Sequence, residues 1–260
     1  KHAILTIQIR QFTIWRRNFE QKVLARHIRI IGQRYMSLFR SSEKKTIRFG
    51  NKADPFQPAE TYHNVSAQVL KILTDMKWSF VIQTMCTENL VPYTDLIIAN
   101  KEFVIVQPII SPGAESDWDI LERGRTTPIQ DRIDFIVYLK KHGVSVGVNG
   151  EPFIPGYHTV EQFENMVNRL HSVGINNYNT YNFHFNDFVA KRLHAIGIDI
   201  ERIWYYNRDE YWKPIYHQLI EISKKYGVAL GCPDFVNSGN YVEQTNTCCG
   251  IDVPNPTTYN

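Results

Sequence analysis

The feature of this chain that most constrains its fold is a regular alternation of strand-like and helix-like segments. Runs rich in β-branched and aromatic residues recur, mostly about 25 to 40 residues apart, which is the spacing that βαβ units require. The predicted strands cover residues 46–51, 79–84, 103–110, 144–149, 176–183 and 228–230. Strands that alternate with helices in this way predict an α/β fold built on a parallel sheet.

The segments between these runs carry helix signals at their ends. Pro128 opens one helical pattern and Gly143 follows its basic last turn, which is a complete helix signature. Thr159 and Gln162 have the spacing of a capping box. The predicted helices cover residues 65–76, 128–142, 159–173, 186–196 and 208–226.

About six such units predict a full or partial parallel (β/α)₆ barrel. A doubly wound open sheet is the alternative. No glycine-rich phosphate loop of the form GxGxxG or GxxxxGK[ST] is present, and this disfavours the nucleotide-binding version of that alternative. We therefore expect a barrel over residues 46–235, preceded by a basic segment (1–45) and followed by an irregular tail (236–260).

Charge is distributed unevenly along the chain. The net charge is only +3, so there is no global electrostatic case for nucleic-acid binding. The first 48 residues, however, carry many Lys and Arg residues against only Glu20 and Glu43. Such a segment can grip phosphates, or it can be the solvated face of a helix. Both interpretations stay open from the residues alone.

The cysteines and the hydropathy bear on location and on metal binding. The chain has four cysteines, Cys86, Cys232, Cys248 and Cys249, and no HxH, HExxH or CxxC spacing, so these residues alone predict no metal site. No signal peptide is visible, and no apolar run approaches the roughly 20 residues of a membrane span. We expect a cytoplasmic protein without a membrane partner.

Polar residues follow nearly every predicted strand. The carboxyl ends of parallel strands meet at one edge of a barrel, where ligands bind. The candidates are Asn51, Lys52, Asp54, Gln83, Thr84, Cys86, Gln107, Ser111, Asn149, Glu151, Asn179, Tyr181, Asn182, His184, Cys232 and Asp234. A mouth lined by amides and hydroxyls suits a neutral or zwitterionic ligand with many hydrogen-bonding atoms.

One strand end carries a distinctive motif. Residues 50–60 read Gly-Asn-Lys-Ala-Asp-Pro-Phe-Gln-Pro-Ala-Glu, and turn chemistry alone makes them a strand end, a polar loop and a helix start. They resemble the motif G-x-x-x-D-P-[YF]-Q-P-x-E of radical S-adenosylmethionine enzymes of the spore photoproduct lyase and DNA repair photolyase type. Residues 104–110, 119–123 with Pro128 and Arg132, and 151–156 are similar to later segments of that group. The resemblance covers just over half of the chain.

The resemblance implies a partial (β/α)₆ barrel, a member of the partial TIM-barrel type, with a [4Fe–4S] iron–sulfur cluster at its mouth. S-adenosylmethionine bound to the cluster would give a 5′-deoxyadenosyl radical that acts on a nucleic-acid base, as in lyase-type DNA repair. By the same resemblance, Asn51 and Asp54 would contact S-adenosylmethionine and Gln107 would lie near it. Glu122 and Arg132 would form an ion pair that frames its amino or carboxylate end. The residues expected to face the substrate are Asn149, Glu151, Tyr181 and His184.

The cluster motif C-x-x-x-C-x-x-C of that group is not present in this chain, and residues 1–15 contain no cysteine. We therefore expect the [4Fe–4S] ligands, and with them the enzymatic activity, only if the motif lies upstream of residue 1. The alternative is a degenerate or truncated barrel that binds nucleic acid or a protein partner without radical chemistry. A further alternative is a metal-independent hydrolase or lyase that uses Glu151 and His184.

Overall fold

The computed structural model describes residues 5–6, 46–50, 53–180 and 183–231. Its strands are β1 (Leu5–Thr6), β2 (Ile47–Phe49), β3 (Phe80–Thr84), β4 (Val104–Pro108), β5 (Ser145–Val146), β6 (Val148–Asn149), β7 (Asn177–Asn179) and β8 (Ala229–Gly231). Its α-helices are α1 (Glu60–His63), α2 (Val65–Asp75), α3 (Thr94–Ala99), α4 (Ala114–Ile120), α5 (Ile129–Lys141), α6 (Val160–Ser172), α7 (Asp187–His194), α8 (Ile200–Tyr206) and α9 (Asp209–Tyr226). Two 3₁₀ turns, Thr87–Asn89 and Val91–Tyr93, follow β3.

The strands pair in chain order, and every pairing is parallel. One sheet runs from β1 to β5 and the other from β6 to β8. The two sheets are joined because Ile109 bridges Asn149 and because the Gly147 N–H donates to the carbonyl of Val106 at 3.2 Å. β5 and β6 are therefore two halves of one predicted strand, interrupted at Gly147.

A strand order without reversal separates the barrel from the doubly wound alternative. Successive right-handed crossovers place their helices on the same face of the sheet, so the opposite face turns inward. Over the residues that the structure describes, the order never reverses, as a doubly wound sheet would require. The predicted partial parallel barrel is confirmed.

The main apolar core lies between the sheet and its helices. Alternate strand residues such as Ile82, Val106, Val148 and Tyr178 are buried there. The opposite face, which we call the inner face, carries a small apolar cluster of its own, formed by Val81 and Ile105. Above that pair, towards the carboxyl ends of the strands, the inner face becomes polar.

All six predicted strands and all five predicted helices are present, with ends shifted by a few residues. The capping box is also confirmed: Thr159 Oγ1 accepts from the Gln162 N–H at 3.1 Å, and Gln162 Oε1 accepts from the Thr159 N–H at 2.9 Å. The sequence interpretation missed α1, α3, α4, α8 and β1, which are all short. Their apolar repeats are too short to show a period.

The sheet begins ahead of residue 46, because β1 lies within the segment assigned to the basic amino terminus and pairs with β2. The rest of that segment and the predicted tail (236–260) lie outside the described residues. Within the described part of the chain, no helix combines the length and the apolar character needed to cross a bilayer.

Candidate active site

Asp54 fastens the loop after β2 to the end of β3. Its Oδ1 accepts hydrogen bonds from the Phe56 N–H at 2.8 Å and from the Thr84 hydroxyl at 2.7 Å. Its Oδ2 accepts from the Met85 N–H at 2.6 Å. Burial raises the pKa of Asp54, although these three hydrogen bonds and the charge of Arg132 oppose the shift. The partly buried carboxylate therefore holds the loop at the carboxyl ends of the strands.

The rest of the motif packs this loop, which we call the Asp54 loop (residues 53–59), against its surroundings. The Phe56 ring is fully buried, and its carbonyl accepts from Asn89 Nδ2 at 2.7 Å. Glu60 Oε1 accepts from the Ser66 and Ala67 N–H groups at 2.6 and 3.1 Å, so it caps the start of α2. The Ser66 hydroxyl also donates to the Pro55 carbonyl. Each of these contacts restrains the Asp54 loop at the barrel mouth.

Gly50 is required by the close approach of β2 to β3. Its φ is +118°, and a Cβ built on it would lie 2.2 Å from the backbone oxygen of Gln83. No side chain larger than hydrogen fits there without moving the backbone. The glycine at the start of the motif therefore sets how closely the Asp54 loop follows the end of β3.

The inner face near the carboxyl ends of the strands is lined by amides. Each of these residues neighbours a residue that packs against the helices, so its own side chain points to the inner face. All are buried: Gln83, Gln107, Asn149, Asn177 and Asn179. Gln83 Nε2 donates to Gln107 Oε1 at 2.7 Å, which joins β3 and β4. The inner face therefore presents neutral donors and acceptors.

Asn179 differs from the other inner-face amides. It is 0% exposed, yet neither its Oδ1 nor its Nδ2 has a hydrogen-bond partner among the described residues. Most buried polar groups in folded proteins are paired. Asn179 was among the strand-end candidates but not among the residues predicted to bind a ligand, because sequence does not show which of several amides stays unpaired.

Arg132 is fully buried and forms the predicted ion pair with Glu122. Its Nε donates to the Thr127 carbonyl at 2.7 Å and its Nη1 to the Ile109 carbonyl at 2.6 Å. Nη1 also contacts Glu122 Oε1 at 3.2 Å, and Nη2 donates to Glu122 Oε2 and to Thr126 Oγ1. All five guanidinium N–H groups therefore have acceptors within the chain. The pair holds the end of β4 to the segment before α5.

A second buried cluster centres on Asp117 and had no sequence signal. His158 Nε2 donates to Asp117 Oδ2 at 2.8 Å and the Tyr157 hydroxyl donates to Oδ1 at 3.0 Å. The Ser111 hydroxyl also donates to Oδ2. Burial raises the pKa of Asp117, but the hydrogen bonds from His158, Ser111 and Tyr157 outweigh it, so the net shift is downward. His158 Nδ1 accepts from the Ile154 N–H at 2.8 Å, which assigns the proton to Nε2.

The known proteins that this chain resembles include a radical S-adenosylmethionine isomerase and spore photoproduct lyase. No family model matches the chain. The "Radical SAM Nalpha-GlyT isomerase" of Pseudomonas phage M6 is 23% identical over 128 residues, which are 49% of this chain and 26% of that protein. The structure of spore photoproduct lyase complexed with dinucleoside spore photoproduct matches with a TM-score of 0.56 and 11% identity over 79% of this chain and 65% of the lyase. A tyrosine-to-phenylalanine mutant of the lyase matches with a TM-score of 0.53 and 13% identity, with the same coverage.

The chain has the fold of the radical S-adenosylmethionine enzyme spore photoproduct lyase. The resemblance predicted from the motifs is confirmed. The chain spans about a quarter of the length of the phage relative and less than two thirds of the lyase.

The residues predicted for this radical S-adenosylmethionine fold lie in different places. Asp54, Gln107 and Asn149 lie at or near the carboxyl ends of the strands. Asn149 Oδ1 accepts from the Glu151 N–H at 3.0 Å, so these two residues adjoin. His184 is exposed on the segment before α7. Asn51 and Tyr181 lie outside the described residues, and the binding roles of all the predicted site residues stay predictions.

Radical S-adenosylmethionine enzymes of this fold imply an iron–sulfur cluster, and the described residues do not fit one. Within the described ranges, no group of three or more His, Cys, Asp or Glu side chains is placed to hold a metal. Cys86 is buried as a free thiol, and burial raises its pKa to about 12, so it is protonated at neutral pH. Any cluster ligands must come from residues that the structure does not describe.

Proposed function

We propose that this barrel is the core of a radical S-adenosylmethionine enzyme that acts on a nucleic-acid base in the cytoplasm. The observation that carries the proposal is the combination of this fold with an amide-lined inner face under the Asp54 loop. The match to a lyase in complex with a dinucleoside photoproduct supports the choice of a nucleobase as substrate.

The inner face suits S-adenosylmethionine in chemical terms. Amide side chains offer both donors and acceptors to a ligand that carries an adenine, a ribose and an amino acid. Three of the roughly four acceptor sites of the Asp54 carboxylate are used within the chain, which leaves about one for a ligand. We propose that Asp54, with Asn51, borders the ligand from the loop side and that Gln107 borders it from β4.

The Glu122–Arg132 pair would influence the ligand through backbone position. Because every N–H of Arg132 already has an acceptor, its guanidinium has no donor left for a carboxylate. The pair instead fixes the carbonyl of Ile109 just beyond β4. We propose that this fixed strand end sets the position of the ligand's amino-acid end.

The substrate would enter from the side of β6 and β7. Asn149 and Glu151 adjoin at that edge, and Tyr181 and His184 follow β7 in the chain. S-adenosylmethionine bound to a [4Fe–4S] cluster supplies an adenosyl radical in enzymes of this kind. Here the cluster ligands would come from outside the described residues.

Anaerobic reconstitution tests the proposal. The full-length gene product is treated with iron and sulfide, and its iron content, visible absorption and folded state are measured. We expect about four irons per chain. Dithionite and S-adenosylmethionine should then yield 5′-deoxyadenosine. A folded protein that binds no iron and forms no 5′-deoxyadenosine would contradict the proposal.

A cluster-free barrel that binds nucleic acid or a protein partner is the second candidate. The lack of a three-ligand group among the described residues favours it. Binding of single-stranded DNA across a salt series discriminates the two. A steep loss of affinity with salt, in a protein that binds no iron, would support a cluster-free nucleic-acid binder. A slope near zero would exclude phosphate contacts.

A further inference from the structure

The carboxamide of Asn179 is buried inside the barrel and has no hydrogen-bond partner among the described residues. We propose that Asn179 pairs with the hydrogen-bonding edge of a nucleobase that enters from the carboxyl ends of the strands. That the ligand is a nucleobase rests on the proposed function. The inference that a ligand forms hydrogen bonds with this amide depends only on the geometry around β7.

The backbone of β7 holds this side chain towards the inner face. The preceding residue, Tyr178, is fully buried on the helix side, where its ring packs on Phe163 at 5.4 Å and its hydroxyl donates to the Ile110 carbonyl at 3.0 Å. The Gly150 N–H donates to the carbonyl of Asn179 at 2.7 Å. Because successive strand residues face opposite ways, Asn179 cannot turn outward while Tyr178 stays anchored.

The neighbours of Asn179 do not satisfy its amide. Asn149 on β6 and Gly231 on β8 occupy the adjacent register positions. Gly231 has no side chain, and Asn149 Oδ1 is used by the Glu151 N–H. Both amide atoms of Asn179 are buried, so bulk water does not compensate them either. The Gln83–Gln107 pair shows that this same face can satisfy amides with each other where the register allows it.

The hydrogen-bonding groups of a carboxamide limit the chemical classes of ligand that can satisfy Asn179. A carboxamide offers one acceptor and one donor side by side in a plane, and neither group of Asn179 has a partner in the described part of the chain. A phosphate would satisfy only the donor and a cation only the acceptor. A nucleobase edge with adjacent donor and acceptor satisfies both, as asparagine does with adenine. Two sources carry such an edge: the adenine of an adenosyl ligand and the base of the substrate.

Nucleoside binding to variants of the full chain tests the inference without any cluster. Adenosine and thymidine are titrated by calorimetry into the parent, Asn179→Leu and Asn179→Asp. Leu removes both hydrogen-bonding groups, and Asp replaces the donor with an acceptor. Ser223→Ala is the matched control, because Ser223 Oγ on α9 is also buried without a partner among the described residues but lies in the outer helix layer.

We expect the parent to bind at least one nucleoside and both Asn179 variants to bind it about tenfold or more weakly. Ser223→Ala should bind like the parent. Without ligand, Asn179→Leu should melt at or above the parent temperature, since an unpaired buried amide is removed. An amide with a purely structural role would instead lower the melting temperature on replacement.

The outcomes separate the two sources and the two proposals. A loss confined to adenosine assigns the amide to an adenosyl ligand, and a loss confined to thymidine assigns it to the substrate. Failure of the parent to bind either nucleoside, equal binding by parent and variants, or unfolding of both variants would overturn the inference. If nucleoside binding depends on Asn179 but no 5′-deoxyadenosine forms, the inference about Asn179 is supported. The proposed radical enzyme activity is then rejected.

Discussion

The carboxylate of Asp54 lies 2.7 Å from the hydroxyl of Thr84, and this hydrogen bond joins the loop after β2 to the end of β3. The same carboxylate accepts the N–H of Met85 at 2.6 Å. The two strands therefore share one partly buried acceptor at the barrel mouth. This relationship explains why an aspartate follows the glycine of the motif by four residues: the loop turns back far enough to meet the end of the next strand.

Replacement of Asp54 by alanine should destabilise the fold. The change leaves the N–H groups of Phe56 and Met85 and the Thr84 hydroxyl without their acceptor. Since an unpaired buried donor costs about 1 to 3 kcal/mol, we expect a loss of about 2 to 4 kcal/mol in the free energy of unfolding. Urea denaturation followed by circular dichroism measures it.

Two further variants calibrate that measurement. Thr84→Val keeps the shape and removes one hydroxyl, so it should cost about 1 kcal/mol. Asp75→Ala removes an exposed carboxylate that pairs with Lys71 at 3.5 Å, and it should change stability by less than about 0.5 kcal/mol. If Asp54→Ala were as mild as Asp75→Ala, Asp54 would not brace the loop.

Gly50→Ala should be more damaging than a comparable change at Gly197. Both glycines have positive φ, +118° and +82°, but only at Gly50 would a Cβ meet a backbone atom, 2.2 Å from the Gln83 oxygen. At Gly197 nothing lies within 4 Å of the added carbon. We expect about 1 kcal/mol at Gly197 and about 3 kcal/mol or more at Gly50. Thermal unfolding of the two variants compares them directly.

The sequence alone predicts the regular part of this fold well, because long amphipathic segments carry their own period. The capping box of Thr159 and Gln162 and the stop at Gly143 place their helices to within about two residues of the observed ends. The short helix α4 and the strand β1 cannot be predicted from the sequence in this way. Their formation depends on contacts with distant residues, which local propensity does not contain.

The candidate site likewise contains residues whose position the sequence predicts and contacts that it does not predict. That Asp54, Gln107 and Asn149 would gather at the carboxyl ends of strands follows from topology, and the structure brings them there. The Asp117–His158 contact joins residues 41 positions apart, and no spacing rule announces it. Which inner-face amide is left unpaired depends on register between strands, and sequence periodicity does not fix register between parallel neighbours.

Lowering the pH should reduce the free energy of unfolding of the parent protein more than that of Asp117→Asn. Hydrogen bonds hold the pKa of Asp117 below its ordinary value of 3.8 despite burial. A carboxyl whose pKa is lower in the folded state contributes stability above the unfolded pKa and loses it as pH falls through the folded pKa. The stability difference between parent and variant, about 2 to 3 kcal/mol at pH 7, should therefore shrink below about pH 4.

Denaturant unfolding at a series of pH values from 7 to 3 checks this expectation. Glu164→Gln is the matched control, because the hydrogen bond from Lys225 also lowers the pKa of Glu164 but at a partly exposed site. Its curve should follow the parent closely at every pH. A difference between parent and Asp117→Asn that stays constant down to pH 3 would show that the pKa of Asp117 is not lowered in the fold.

The Arg132→Lys variant tests whether Arg132 stabilises the fold or contacts a ligand directly. Lysine keeps the charge but has three donors on one atom, so it cannot serve the carbonyls of Thr127 and Ile109 together with both oxygens of Glu122. Because a buried ion pair with a broken partner is strongly unfavourable, we expect a loss of about 3 to 5 kcal/mol in urea unfolding. Arg169→Lys, which alters a pair at the surface, should cost less than about 1 kcal/mol. A stable Arg132→Lys protein that binds S-adenosylmethionine more weakly would instead assign the guanidinium directly to the ligand.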